Sequence, residues 1–212
     1  MNEEKSVGLV IDEIKKALAG SRPYEILVVD TNSRDRTKEV AAEKGAVVID
    51  EPRRGYGRAY KTGFGRATGQ IIATLDADMT YPAAEIPLLA DMLEREGLDF
   101  ITTNRFAKME KGAMSAKHRL GNWILSVATR LLLKVKVRDS QSGMWVFRSD
   151  ILGVVELTSD GMAMSEELKI EAFRKVRAAE VPIAYSQRIG EVKLSSWKDG
   201  MGNLRFLLKK RL

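Results

Sequence analysis

Two short acidic sequences stand where this chain could hold a cation and a phosphate. The run "EILVVD" ends in Asp30, followed by Thr31, Asn32 and Ser33, and "IIATLDAD" ends in Asp76 and Asp78. Carboxylates at i and i+2 of an extended chain project to one side. There they are near enough to share a hard divalent cation, Mg2+ or Mn2+, that keeps some of its water and completes its shell with phosphate oxygens. A pair of this kind suits a nucleoside diphosphate. The same residues, with Thr80, also suit a plain turn cap ahead of Pro82.

Other candidate groups are fewer. There is no cysteine, which removes disulfides, zinc-thiolate sites and thiol nucleophiles together. The single histidine, His118, lies in a basic stretch and reads as a surface residue rather than a catalytic base. Glu166 and Glu167 read either as a solvated first helical turn, which favours acids through the helix dipole, or as groups near an acceptor. The glycines of "RRGYGRAYKTGFG", at 55, 57, 63 and 65, do not make the G-x-G-x-x-G of a dinucleotide fold. Arg54 or Arg58 in this segment could touch phosphate, or the segment is a basic helix with close-packing glycines.

The elements that must position these groups alternate. Val7, Val10, Ile11, Ile14 and Leu18 recur at helical spacing between Ser6, a candidate N-cap, and Gly20. "YEILVVD" is then a continuous apolar run, as expected of a strand buried on both faces. A helix in "RTKEVAAEKG", a strand in "AVVID", a helix in "GRAYKTGFGRATG" and a strand in "QIIATLDAD" follow. After Pro82 come a helix in "AAEIPLLADMLEREG" and a strand in "LDFITTNR". Strands and helices joined by short links predict a doubly wound α/β sheet. In open sheets of that kind ligands bind beyond the carboxyl ends of the strands, where Asp30, Asp76 and Asp78 stand. The second half carries a basic stretch from Lys117 to Lys136, a helix in "SEELKIEAFRKV", a strand in "AEVPIAYSQR" and a basic apolar tail.

With 212 residues, 44% of them apolar, the chain is expected to be one domain with a substantial core. Lys and Arg outnumber Asp and Glu by 35 to 29, which favours a polyanionic partner. The acidic strand ends speak against nucleic acid. Leu120, Trp123, Ile124, Val127, Leu131 and Leu132 fall at helical spacing with cations around them. That helix either lies in a membrane interface or packs into the core. No run approaches the length needed to span a bilayer, so a soluble or peripheral protein is expected.

In order, "NEE" (2–4), "VVDTNSRDRT" (28–37), "RRGYGRAYKTGFGRATGQII" (53–72), "LDADMTYP" (75–82), "DSQSGMWVFR" (139–148) and "RIGEVKL" (188–194) resemble the motifs of the family-two glycosyltransferases with a GT-A fold. Within that family the likeness is to the dolichyl-phosphate mannose synthase and polyprenyl-phosphate glucosyltransferase group. It implies a mostly parallel Rossmann-like sheet with helices on both faces, in a single domain over 1–212. The nucleotide-binding half would run to about 104 and the acceptor-side half from about 105. It implies inverting, metal-dependent transfer of mannose or glucose from a GDP- or UDP-sugar to a polyprenyl phosphate. The enzyme would be cytoplasmic and peripheral at the cytosolic face of a membrane, and open to a membrane-spanning partner.

By the same resemblance Glu3, Asp30 and Asn32 bind the nucleotide, with Asp30 against the base or ribose. Asp76 contacts the ribose or diphosphate, Asp78 ligates the metal with Asp76 and Thr80 beside it, and Arg188 and Lys193 face the diphosphate. Arg105, Arg119 and Arg138 are the cations nominated for the acceptor phosphate, since a planar guanidinium meets phosphate oxygens in pairs, and Glu166 is placed near the acceptor. Three departures carry expectations of their own. Relatives have an apolar strand ending in P-T-x-N-E ahead of the position where "NEE" opens this chain, so a first strand is expected to be missing and to leave unpaired edges inside the sheet. Thr80 stands for a Gln and Thr31 for an Asp, which would take an oxygen ligand from the metal. Val192 stands for the Ser before Lys193. A soluble glycosyltransferase with a sugar or protein acceptor, and a partner subunit weakened in catalysis, remain the rival readings.

Overall fold

The computed structural model describes residues 1–190 and 196–211. Seven helices and six strands are present among them. The helices are α1 (Val7–Leu18), α2 (Thr37–Glu43), α3 (Tyr56–Phe64), α4 (Glu85–Arg95), α5 (Ala116–Leu133), α6 (Ala163–Lys175) and α7 (Ser196–Arg211). The strands are β1 (Leu27–Asp30), β2 (Val47–Asp50), β3 (Ile71–Ala73), β4 (Phe100–Met109), β5 (Trp145–Arg148) and β6 (Ala178–Tyr185), with one 3-10 turn at Ser149–Gly153. The expected alternation is therefore present, with shorter strands: β1 starts at Leu27 rather than Tyr24, and β3 ends at Ala73 rather than Asp78.

The strands form two sheets. β1 pairs with β2 in parallel, and a four-stranded sheet runs β3-β5-β4-β6. This second sheet is mixed, because β5 is antiparallel to both neighbours while β4 and β6 are parallel. β5, from the acceptor-side half, is inserted between β3 and β4 of the other half. Among the described residues β1 has no strand partner beyond β2, and β3 none beyond β5.

Alternation along each strand explains the apolar runs. Phe100, Trp145, Phe147 and Ile72 enter one buried cluster with Phe64, Met164 and Leu168. Their neighbours Ile101, Met144, Val146 and Ile71 enter another, with Leu89, Leu93 and Tyr81. Both faces of the larger sheet are covered by helices, so every strand position favours an apolar residue. α1 joins the two sheets from one side. Its Val7 and Ile11 pack with Val28, Val48 and Ala77, and its Ile14 and Leu18 pack with Leu89 and Leu93.

Candidate functional site

The acidic pair after β3 sits in a turn, not in extended chain, which corrects the geometry expected for Asp76 and Asp78. Met79 adopts a positive φ of 67°, and the Asp78 carboxylate caps the turn by accepting from the Thr80 backbone N–H at 3.1 Å and the Thr80 hydroxyl at 2.6 Å. Thr80 is buried, and its hydroxyl is committed to Asp78 as the donor of a turn cap rather than standing beside it as an oxygen ligand. The capping reading thus holds for Asp78 and Thr80.

The pair is nonetheless brought together and charged. Asp76 and Asp78 lie close enough for mutual repulsion. Burial first, and Asp78 second, push the Asp76 carboxyl up to about 6 against the opposing pull of Arg188 and Arg105. The Arg188 guanidinium meets Asp78 at 2.6 Å, and the Ile189 N–H donates to the Asp78 carbonyl at 2.9 Å. Of the two basic residues expected at the diphosphate, Arg188 therefore stands at the acidic pair, whereas Lys193, like Val192, lies outside the described residues.

A chain of hydrogen bonds runs from this turn to the end of β1. The Ser6 hydroxyl donates to the Ala77 carbonyl at 2.7 Å and lies 3.2 Å from a Glu3 carboxylate oxygen. Ser6 therefore spends its side chain on the loop beyond β3 and gives no side-chain cap to α1. The Glu3 N–H donates to the Thr37 hydroxyl at 2.7 Å, and the Asn2 N–H donates to Ser33 Oγ at 2.8 Å. Buried Asp30 accepts from the Ser33 N–H at 2.8 Å and from its hydroxyl. Asn32, at a positive φ of 61°, donates its side-chain amide to the Pro52 carbonyl. The ends of β1 and β3 are thus linked through residues 2–6.

Two carboxylates are hard oxygen donors, and a cation between them relieves the repulsion that lifts Asp76. Among the described residues no third His, Cys, Asp or Glu joins them as a cluster able to hold a metal. The residues present fit a divalent ion that draws its other ligands from water and phosphate.

Sequence reasoning missed the packing behind the pair. Tyr60 Oη lies 3.4 Å from Asp76, and the Gly143 N–H donates to Tyr81 Oη at 2.6 Å. A methyl group added at Gly143 would stand 3.4 Å from both Asp76 oxygens and 3.1 Å from Tyr56 Oη. The loop 139–143 therefore forms one wall of the acidic site, and glycine lets it approach. Only the tyrosines' place beside a glycine-rich helix and the "DSQSG" signature hinted at this.

The residues nominated for an acceptor phosphate separate. Arg105 lies at a break in the β4–β6 register, where its backbone N–H turns from the ladder to Asp139. Its Nε and Nη2 both donate to the Asp139 carboxylate at 2.8 Å, in full burial, so this arginine is an interior strut and not a free phosphate ligand. Arg119 and Arg138 instead line a groove of about 550 Å³ with Asn104, Phe106, Trp123 and Arg130. This groove lies beside α5 rather than over Asp76 and Asp78.

α5 has one buried and one exposed face. It buries Leu125, Ser126, Thr129 and Leu133, and exposes Leu120, Trp123, Ile124 and Leu131 at 50–74%. The apolar stripe faces outward. Ser115 caps its N-terminus by accepting from the His118 N–H. No described helix is long and apolar enough to cross a membrane.

The first turn of α6, read either as solvated or as lying near an acceptor, is buried: every residue from Ala163 to Ala172 is shielded. Glu167 accepts from the Thr158 and Ser159 backbones, and Lys210 of α7 meets it at 3.3 Å. Glu166 accepts from Thr129 Oγ1 and from Gln141 Nε2, and its second oxygen has no partner among the described residues. Burial pushes Glu166 up to about 7, and the same cause brings the fully enclosed Lys169 down to about 7.

Comparison with known proteins follows the same lines. A model described as Glycosyl transferase family 2 matches residues 1–155. The low-salt glycan biosynthesis hexosyltransferase Agl6 of Haloferax volcanii is 37% identical over 98% of this chain, which spans only 51% of that protein. The dolichyl-phosphate hexose transferase of the same organism is 33% identical over 94% of this chain and 85% of its own. Among solved structures, glucosyl-3-phosphoglycerate synthase from Mycobacterium tuberculosis, in complex with Mn2+, UDP and glucosyl-3-phosphoglycerate, superposes with a TM-score of 0.76. Its sequence identity is 21%, and the match covers 100% of this chain and 76% of that one.

Proposed function

Because the chain belongs to glycosyl transferase family 2 and has its GT-A fold, we propose that it moves a hexosyl group from a nucleoside diphosphate sugar to a polyprenyl phosphate at a membrane surface, with inversion. One observation carries the choice of acceptor: α5 turns its apolar stripe to the outside, beside a groove lined by Arg119, Arg130 and Arg138. A lipid surface accommodates that stripe, and arginines meet a phosphate headgroup. The names of the relatives support the same class of acceptor, since one is a dolichyl-phosphate hexose transferase.

In the reaction the bond between the anomeric carbon and the diphosphate breaks, and its electron pair leaves with the diphosphate. A bond from the acceptor phosphate oxygen forms on the opposite face. That oxygen is already an anion at neutral pH, so no base is required. Asp78, with Asp76, would hold Mg2+ or Mn2+, which supplies positive charge to the leaving group. Arg188, which pairs with Asp78 at 2.6 Å, would add fixed positive charge beside the same anion. Asp30, Glu3 and Asn32 are the proposed nucleotide contacts, and Lys193 a second cation for the diphosphate. Glu166 holds Gln141 from behind rather than facing solvent.

The test is transfer from labelled GDP- and UDP-hexoses to a short polyprenyl phosphate in liposomes, with Mn2+, with Mg2+ and with chelator. Label should move to the organic phase only when cation is present. Transfer to water-soluble sugars or peptides, with the lipid left unlabelled, would favour the soluble transferase and end this reading. Absence of turnover with every donor would favour a partner subunit.

A further inference from the structure

Lys169 is an ammonium with no carboxylate in hydrogen-bond contact, enclosed at 0% exposure in the middle of α6. Its Nζ donates to the carbonyl of Ser140 at 2.7 Å, to the carbonyl of Ser142 at 2.5 Å and to Ser165 Oγ at 2.9 Å, and it stands 5.4 Å from the centre of the Trp145 ring. Burying a charge among neutral acceptors is unfavourable unless those acceptors are fixed and complete. Here they are: the Ser142 carbonyl also accepts from Trp145 Nε1 at 2.9 Å and lies 3.2 Å from Ser165 Oγ.

What the ammonium grips is the backbone of the loop 139–143. The far side of that loop is the wall of the acidic site, where Gly143 packs on Asp76 and Tyr56. The same loop carries Asp139, the partner of Arg105, and Gln141, which bonds Glu166 and accepts from Asn203 of α7. A core position with no task beyond packing is served at least as well by an apolar side chain.

We propose that Lys169 is a positioning residue for the transfer reaction, clamping two carbonyls of the 139–143 loop so that Gly143 holds the Asp76 carboxylate in place. The functional part of this rests on the transferase reading; the clamp itself does not. Lys169→Met keeps most of the length of the unbranched side chain and removes the donor. Hydrogen–deuterium exchange in the full chain should then speed up at least tenfold across 139–143 while the amides of β4 and β5 keep their protection. In the transfer assay kcat should fall at least tenfold with the KM for donor changed less than threefold.

Leu168→Ala, which opens a cavity one residue away without touching the loop, serves as the stability control and should lose activity only in proportion to its unfolded fraction. If Lys169→Met does not fold, Ser165→Ala removes one of the three acceptors and should show the same pattern at smaller amplitude. Unchanged exchange at 139–143, a wild-type kcat in a loosened loop, or losses that merely track stability as in Leu168→Ala overturn the proposal. A wild-type protein inert toward every donor sinks the transferase reading instead, and the exchange experiment registers that case separately.

Discussion

At the scale of single residues, the acidic site is one half-buried and one buried carboxylate, Asp76 and Asp78, held by a turn and countered by the guanidiniums of Arg188 and Arg105. Asp78→Asn keeps the shape of the cap but removes the charge that Arg188 and a cation both need. On the proposed mechanism it should lower kcat about 100-fold or more, measured in the liposome assay, with an unchanged circular dichroism spectrum. Arg105 and Asp139 make a different prediction. Their ion pair is buried on both sides, so Asp139→Asn leaves a guanidinium without its counter-charge and should destabilise the fold by about 3–5 kcal/mol, read from urea unfolding. The aspartates at the strand ends were legible in the sequence because an apolar run simply stops at them. The opposite fates of Arg105 and Arg119 were not, because an arginine's role depends on a partner 34 residues away in one case and on an open groove in the other.

At the scale of elements, the sequences of α5 and α6 each left two readings open. The apolar positions of α5 were visible, but not which face would be buried. Ser126 and Thr129 go inward because their hydroxyls find partners beyond their own helix there: the Ser140 N–H donates to Ser126 Oγ at 3.0 Å, and Thr129 Oγ1 donates to Glu166. Trp123→Asp should leave the fold intact, since the ring is 55% exposed, and should weaken co-sedimentation with anionic liposomes about tenfold, roughly the loss of half a buried aromatic side chain. Unaltered sedimentation would remove the lipid surface from the argument.

The first turn of α6 stayed between a solvated and an acceptor-side reading because the sequence does not show that the basic apolar tail, α7, packs against it, where Lys210 reaches Glu167 and Glu171. Glu171 supplies a pH signature. Burial alone would raise it, but Lys175 and Lys210 outweigh that and bring it down to about 2. A carboxylate held below its unfolded value stabilises the fold above that value, and the gain fades as pH falls from about 4.5 toward 2. Wild type should therefore lose its stability advantage over Glu171→Gln across that range in denaturation curves taken at successive pH values.

At the scale of the whole molecule, β1 and β3 stand in separate sheets, and only the α/β alternation follows from patterns visible in the chain: the double burial expected of "YEILVVD" is found in the larger sheet, while Leu27, Val28 and Val29 of β1 are half-buried. The antiparallel insertion of β5 does not, because strand direction is set by which long-range neighbour a short apolar run finds. The separation has a further consequence. Asp30 belongs to the two-stranded sheet, Asp76 and Asp78 to the four-stranded one, and no backbone ladder joins them among the described residues. A nucleotide that touched Asp30 at one end and the acidic turn at the other would span a seam bridged otherwise by α1, α3 and residues 2–6. Such a ligand acts as mortar. Adding UDP or GDP with Mn2+ should slow amide exchange at Leu27–Asp30 and Ile71–Ala73 together, and more than in the distant β4–β6 pairing, so that the donor binds a half-open body and leaves it a stiffer one.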